Sequence, residues 1–197
     1  MNEVHSMSRE IAKILEESIL IKQAVAKSKI RDIEDMAKVI IAAYKAGGKV
    51  VLFGNGGSAA DAQHIACELV GKFALKRRAF PAIALTTNTS TLTAIANDYG
   101  YNEVFSRQVE ALVGEKDVVI GISTSGNSPN VVEAIEMAKT KGAKTIGLTG
   151  GDGGRLAKVA DIALVVPSDN TPRIQEVHIT IGHIVCEIVE KELSGDA

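Results

Sequence analysis

The sequence has no tryptophan, and three tyrosines with four phenylalanines hold the aromatic share to 4% of 197 residues. It has two cysteines, Cys67 and Cys186, far apart and each inside an apolar helical pattern. They read as small buried side chains in a reducing cytosol rather than as a disulfide framework. An excess of one charge is missing too. Lys plus Arg number 22 and Asp plus Glu 24, for a net charge of -2. That balance argues against wrapping nucleic acid or coating an anionic membrane. No apolar run reaches the ~18 residues of a helical membrane span. The start, Met1 to Ser8, lacks the basic-then-apolar pattern of a secretory leader. Together these absences point to a soluble, cytoplasmic protein.

What is present is globular. Hydrophobic residues make up 46% and charged residues 23%, and a chain of this length buries roughly 70% of its unfolded surface. Eighteen glycines suggest many tight reversals and close backbone approaches. Residues 8–27 pattern as an amphipathic helix, with Ile11, Ile14, Leu15, Ile19 and Ile21 near one face. Residues 31–46 pattern as a second helix, stopped by Gly47 and Gly48. An apolar face this long, ahead of any strand, predicts packing against another copy of the chain. From Val50 the rhythm changes. Short apolar runs at 50–53, 81–85, 118–122, 145–148 and 162–166 read as buried parallel strands. Helical segments at 58–73, 89–97, 103–112, 129–141 and 172–193 separate or follow them. The alternation predicts an α/β fold, a single three-layer domain over 1–197 with a central parallel five-stranded sheet flanked by helices.

In such sheets ligands gather beyond the carboxyl ends of the strands. Gly54-Asn55-Gly56-Gly57-Ser58-Ala59 matches a dinucleotide fingerprint. That fingerprint also needs an acidic residue closing the second strand, and here the strand ends Leu85-Thr86-Thr87-Asn88. The small residues still allow a ligand close to backbone N–H groups and a helix N-terminus; a tight turn alone is the other reading. Ser123-Thr124-Ser125-Gly126-Asn127-Ser128-Pro129 gathers four hydroxyls at a helix start, with Pro129 suited to the first turn. It reads as a phosphate cradle built without lysine. Gly150 to Gly154 reads as turn chemistry without a ligand.

His64 and Glu68, four apart on a helix, share a face and could share a metal or a substrate; a surface pair is the plainer reading. The last helix sets Gln175, Glu176, His178 and His183 among apolar residues, where a buried polar group without a purpose is costly. Gln175 and His183 lie on roughly one face but about 12 Å apart along the axis. His178 points elsewhere and reads as a structural or interface histidine. Arg173 could contact a ligand or pair near the helix start.

With these runs in hand, the chain resembles the sugar isomerase (SIS) domain superfamily and, within it, the bacterial phosphoheptose isomerases. The matching runs are Gly54 to Ser58, Asp61-Ala62-Gln63-His64 with Glu68, Asn97-Asp98 with Gly100, Gly121 to Ser128, and Leu148-Thr149-Gly150 with Asp152-Gly153-Gly154. The last is Arg173-Ile174-Gln175-Glu176 with His178 and His183. The likeness extends from the N-terminal helices to Leu193.

The resemblance implies a single SIS domain with an N-terminal helical extension, residues 1–46, engaged in subunit packing. It implies an aldose–ketose isomerase acting on D-sedoheptulose 7-phosphate to give D-glycero-D-manno-heptose 7-phosphate, the first step toward nucleotide-activated heptose for surface glycans such as lipopolysaccharide. By position it implies substrate contacts at Asn55, Gly56, Gly57, Glu68, Asn97, Asp98, Ser123, Thr124, Ser125, Ser128 and Gln175. It also implies zinc, one per subunit, on His64, Glu68, Gln175 and His183, with Glu68 and His183 as the acid/base pair. The family forms homotetramers with sites between subunits; nucleic acid and membrane are not expected partners. Lys72 departs from the pattern, standing where some members carry arginine. Non-enzymatic relatives of this fold bind the chromosomal replication initiator and lack the acid/base residues. Glu68 and His183, both present here, favour the enzyme.

Overall fold

Gly47, at a φ of 81°, ends the helical start of the chain and turns it into the sheet. The computed structural model describes residues 2–194, with side chains from Ser6 onward. Met1 and 195–197, the outer ends of the expected domain and leader region, lie outside the described residues. Helix α1 spans Asn2–Ser28 and α2 spans Ile30–Lys45. Ile33, Met36, Ala37, Ile40, Ala43 and Tyr44 fall on one stripe of α2 and are buried. The equivalent stripe of α1 is uncovered: Met7, Ile11, Ile14, Leu15, Ile19 and Leu20 are exposed.

Strand β1 (Val50–Gly54) leads to α3 (Gly57–Val70), then to β2 (Ala82–Ala84) and α4 (Thr89–Tyr99). A short 3₁₀ turn (Tyr101–Glu103), α5 (Ser106–Leu112), β3 (Val118–Ile122) and α6 (Pro129–Thr140) follow. The chain closes through β4 (Lys144–Gly150), α7 (Leu156–Val159), β5 (Ile162–Val166) and α8 (Thr171–Ser194). All five strands are parallel, in the order β2-β1-β3-β4-β5. The expected three-layer α/β domain is what forms.

Side chains alternate between the two faces of each strand, as a pleat requires. Val50 and Leu52 face a core shared with α2, α3 and α8. Val51 and Phe53 face a second core shared with α5, α6 and α7. Gly121 and Gly147 pair across β3 and β4. A Cβ on Gly121 would press Val131 and Ile135, and one on Gly147 would press Leu156, so both glycines admit the helices above them.

Four local expectations change. β2 is three residues rather than five, because it is the sheet edge and Pro81 has no N–H to donate. α3 stops at Val70, where Gly71 leaves helical geometry, rather than at 73. The helix expected over 103–112 is interrupted at Val104 and Phe105, whose side chains turn into the second core. Cys67 is exposed, on the outer face of α3, while Cys186 is buried as expected. Burial pushes the Cys186 thiol up to about 12, the nearby Glu68 charge adding to it, so it stays protonated. Among the described residues no helix is long and apolar enough to cross a membrane.

Candidate active site

The strand order reverses between β1 and β3, so the turns leaving those strands open a crevice at the carboxyl edge of the sheet. The β1 turn carries Asn55, Gly56 and Gly57. The β3 turn carries Ser123, Thr124, Ser125 and Ser128. Two amides staple the turns together: Asn55 Nδ2 donates to Asn130 Oδ1, and Asn130 Nδ2 donates to Asn55 Oδ1, both at 2.9 Å. The Tyr101 hydroxyl donates to the same Asn55 oxygen at 3.3 Å.

Pro129 occupies the first turn of α6 as the sequence requires. Ser128, at the N-cap, makes no side-chain capping bond. Its hydroxyl faces that of Ser123 at 2.9 Å instead. Hydroxyls and the N-terminus of α6 therefore remain available to an anion.

The glycine run after β4 has a role the sequence did not disclose: it supports the serine turn from behind. The Gly150 N–H donates to the Thr124 carbonyl, the Leu156 N–H to Gly126 and the Arg155 N–H to Asn127 Oδ1. Gly126 has a φ of 65°, and a Cβ there would collide with the Gly153 carbonyl. Only glycine fits at that crossing.

Beside the crevice α3 and α8 run in the same direction. Gly57 lies against Gln175, Ile65 against Gly182, and His64 against His183. His64 Nε2 is 3.2 Å from Glu68 Oε1 and 3.2 Å from His183 Nε2. One ligand atom from each of His64, Glu68 and His183 lies within 4.8 Å of the others, so the three form a group able to hold a metal ion. A tetrahedral ion bonded at about 2.0–2.1 Å keeps its ligands about 3.3 Å apart. The two short separations match that edge, and three protein ligands leave a position for substrate or water. The group therefore fits a divalent cation on its own geometry.

Gln175 meets the start of α3 at Gly57. Its amide lies over Gly57, where a Cβ would come within 2.5 Å of Nε2. Eight positions of α8 separate Gln175 from His183, which meets His64 further along α3. Asn97 donates to Asp98 at 2.8 Å on the exposed end of α4. Among the described residues no hydrogen bond joins that pair to the trio. Asp61, one turn before His64, has a buried Oδ2 with no hydrogen-bond partner. Burial pushes its carboxyl up to about 6, against the pull of His64. Arg173 pairs with Glu176 at 2.7 Å and donates to the Ile14 carbonyl of α1, so it holds the helix start. His178 is fully buried and pairs with the Thr149 carbonyl at 3.1 Å, the structural role its position suggested.

Four further residues carried no signal in a motif: Asn130 and Tyr101, which bond Asn55, and Arg77 and Glu190, which join the end of α3 to α8. Glu190 left a trace, since a carboxylate at a periodic apolar position of a helix needs a partner.

The chain is similar to known proteins over most of its length. The SIS domain family model matches residues 15–150. The phosphoheptose isomerase of Sulfurimonas denitrificans is 55% identical over 192 residues, covering 96% of this chain and 98% of that protein. That of Citrifermentans bemidjiense is 62% identical over 161 residues, covering 82% and 84%. The solved phosphoheptose isomerase of Neisseria gonorrhoeae superposes with a TM-score of 0.89 at 44% identity, covering 94% of this chain and 99% of that one.

Proposed function

Since the chain belongs to the SIS-domain family and, within it, to the phosphoheptose isomerases, we propose that it interconverts D-sedoheptulose 7-phosphate and D-glycero-D-manno-heptose 7-phosphate. The observation that carries this reading is the convergence of His64, Glu68 and His183 from two helices beside the β1–β3 crevice. The intact trio also favours an enzyme over the initiator-binding adaptor.

Ser123, Thr124, Ser125 and Ser128 hold the phosphate with neutral donors, and the α6 N-terminus adds its dipole. Asn55, Gly56, Gly57, Asn97, Asp98 and Gln175 orient the sugar hydroxyls. Fixing the phosphate fixes the register of C1 and C2 against the trio. Glu68 removes the C1 proton of the ketose, leaving an enediol, and the same proton returns to C2 to give the aldose. His183 takes the proton from O1 and supplies one to O2, so the change is a net shift of two hydrogens. His64, Glu68, Gln175 and His183 are the residues that would hold zinc, one per subunit. Zinc, when bound, polarises the C1–C2 oxygens.

The uncovered apolar face of α1 supports a homotetramer in which residues 1–46 pack between subunits. The same reading places the protein in the cytoplasm, at the entry to nucleotide-activated heptose for surface glycans. Turnover of sedoheptulose 7-phosphate by wild type and Glu68→Gln, each with and without chelator, tests it. Loss of at least ~10²-fold in the variant is expected, since positioned proton transfer contributes 10²–10⁴. Near-normal variant activity would remove Glu68 as the base. A wild type that converts pentose or hexose phosphates but not the heptulose phosphate would remove the substrate assignment.

A further inference from the structure

We propose that Arg77 and Glu190 are positioning residues for the cation trio: one buried ion pair sets how α3, with His64 and Glu68, stands against α8, with His183. The inference rests on the trio binding a cation, as proposed above.

Both side chains are nearly sealed, at 4% and 1% exposure. Glu190, on α8, accepts from the N–H groups of Phe73, Ala74 and Leu75 at 2.9, 2.6 and 2.8 Å. It also accepts from Arg77 Nε at 2.9 Å. The rest of the Arg77 guanidinium turns to the end of α3. Nη2 donates to the Glu68 carbonyl at 2.9 Å, and Nη1 donates to the carbonyls of Leu69 and Gly71. The last carbonyls of a helix have no partner inside it, so here a side chain supplies one. The backbone of Glu68 is thereby tied, through one guanidinium and one carboxylate, to the helix that carries His183. The same carboxylate fixes the Phe73 backbone, and the Phe73 ring lies 5.7 Å from the His183 imidazole. One pair thus restrains both sides of the trio without touching a ligand atom.

Stability alone is a weak account of the arrangement. Burying two charges costs solvation that their attraction returns only with full hydrogen bonding, and an apolar pair often does as well. A lysine could not substitute, since its ammonium has three donors and no planar fork.

The test titrates wild type, Arg77→Lys, Phe73→Ala and Ile135→Ala with Co²⁺ alone, well below each thermal midpoint, following the visible absorption of the bound ion. Ile135 lies in the core on the other face of the sheet, so its truncation controls for lost stability. Arg77→Lys and Phe73→Ala are expected to weaken Co²⁺ binding about 10–100-fold, the range for partners that orient metal ligands, and to change the spectrum. Ile135→Ala is expected to keep wild-type affinity. Should Arg77→Lys not fold, Glu190→Gln, which keeps an oxygen for the 73–75 amides but no charge for Arg77, is titrated in its place and is expected to show the same loss. Variants that bind as tightly as wild type, or an equal loss in Ile135→Ala, overturn the inference while leaving the cation site standing. A wild type that takes up no Co²⁺ overturns the cation site and the inference with it.

Discussion

A methyl group at Gly57 isolates the contribution of Gln175. Gly57 opens α3 with a φ any residue can adopt, so alanine meets no backbone strain there. Its Cβ would lie 2.5 Å from Gln175 Nε2 and 2.9 Å from Cδ and Oε1. Favourable contact between such atoms begins near 3.5 Å, so the amide must retreat by about 1 Å. That amide is the end of a flexible side chain, and it can move. Alanine in place of glycine favours a helix by roughly 0.5–1 kcal/mol, which offsets much of the repacking. Stability should therefore stay within about 1 kcal/mol, or roughly 2–4 °C in Tm. Catalysis should not be spared: a 1 Å misplacement of a positioning group costs on the order of 10²-fold. The assay is isomerase turnover by Gly57→Ala, Gln175→Ala and the double variant, with Tm measured in parallel. If the methyl acts through the glutamine, it adds no further loss once Gln175 is shortened, and the cycle is strongly non-additive. Additive losses would refute that reasoning and mean that the methyl blocks the ligand directly.

Asn130→Ala should remove both amide bonds that hold Asn55, at a cost of about 1–3 kcal/mol in stability, and lower kcat/KM at least tenfold; a lower Tm with unchanged kcat/KM would deny Asn130 its hold on the site. His178 gives a pH signature. Burial holds its imidazole down to about 4 against an ordinary 6.5, although the Thr149 carbonyl contact pulls upward. Between those values the unfolded chain binds a proton that the folded chain does not, so stability rises with pH there and is lost on acidification from 6.5 toward 4. The whole gap is worth about 3 kcal/mol. Asp61, raised to about 6, acts with the opposite sign in part of that window, so the effect is read as a difference. Urea midpoints of His178→Gln should fall less than those of wild type between pH 6.5 and 4, and parallel curves would falsify the assignment.

The strands and most helices were legible because their signal is local. Val50 to Phe53 and Val118 to Ile122 are continuous apolar runs, and a run of that length in an alternating pattern has one economical fate, a buried parallel strand. Pro129 announced the start of α6, and the hydroxyls around it announced an anion cradle. The pairing of His64 with Glu68 was readable too, since positions four apart on a helix always meet.

Other features had no local signal. Cys67 lies in an apolar stretch yet faces outward, because the helix stripe that α8 covers is that of Ile65, Ala66 and Leu69. The break at Val104 and Phe105 follows from a core pocket waiting for them. Gly150 to Gly154 reads as an ordinary turn until the serine turn is laid against it.

Sequence by itself determined which faces are apolar, where the chain must reverse, and which residues can carry charge or protons. Tertiary structure alone decided that His183 joins His64 and Glu68, that Gln175 meets Gly57, and that Glu190 reaches Arg77 across 113 positions. Such meetings depend on how two distant helices pack side by side, with Gly182 letting Ile65 approach, and no periodicity within either helix encodes that distance.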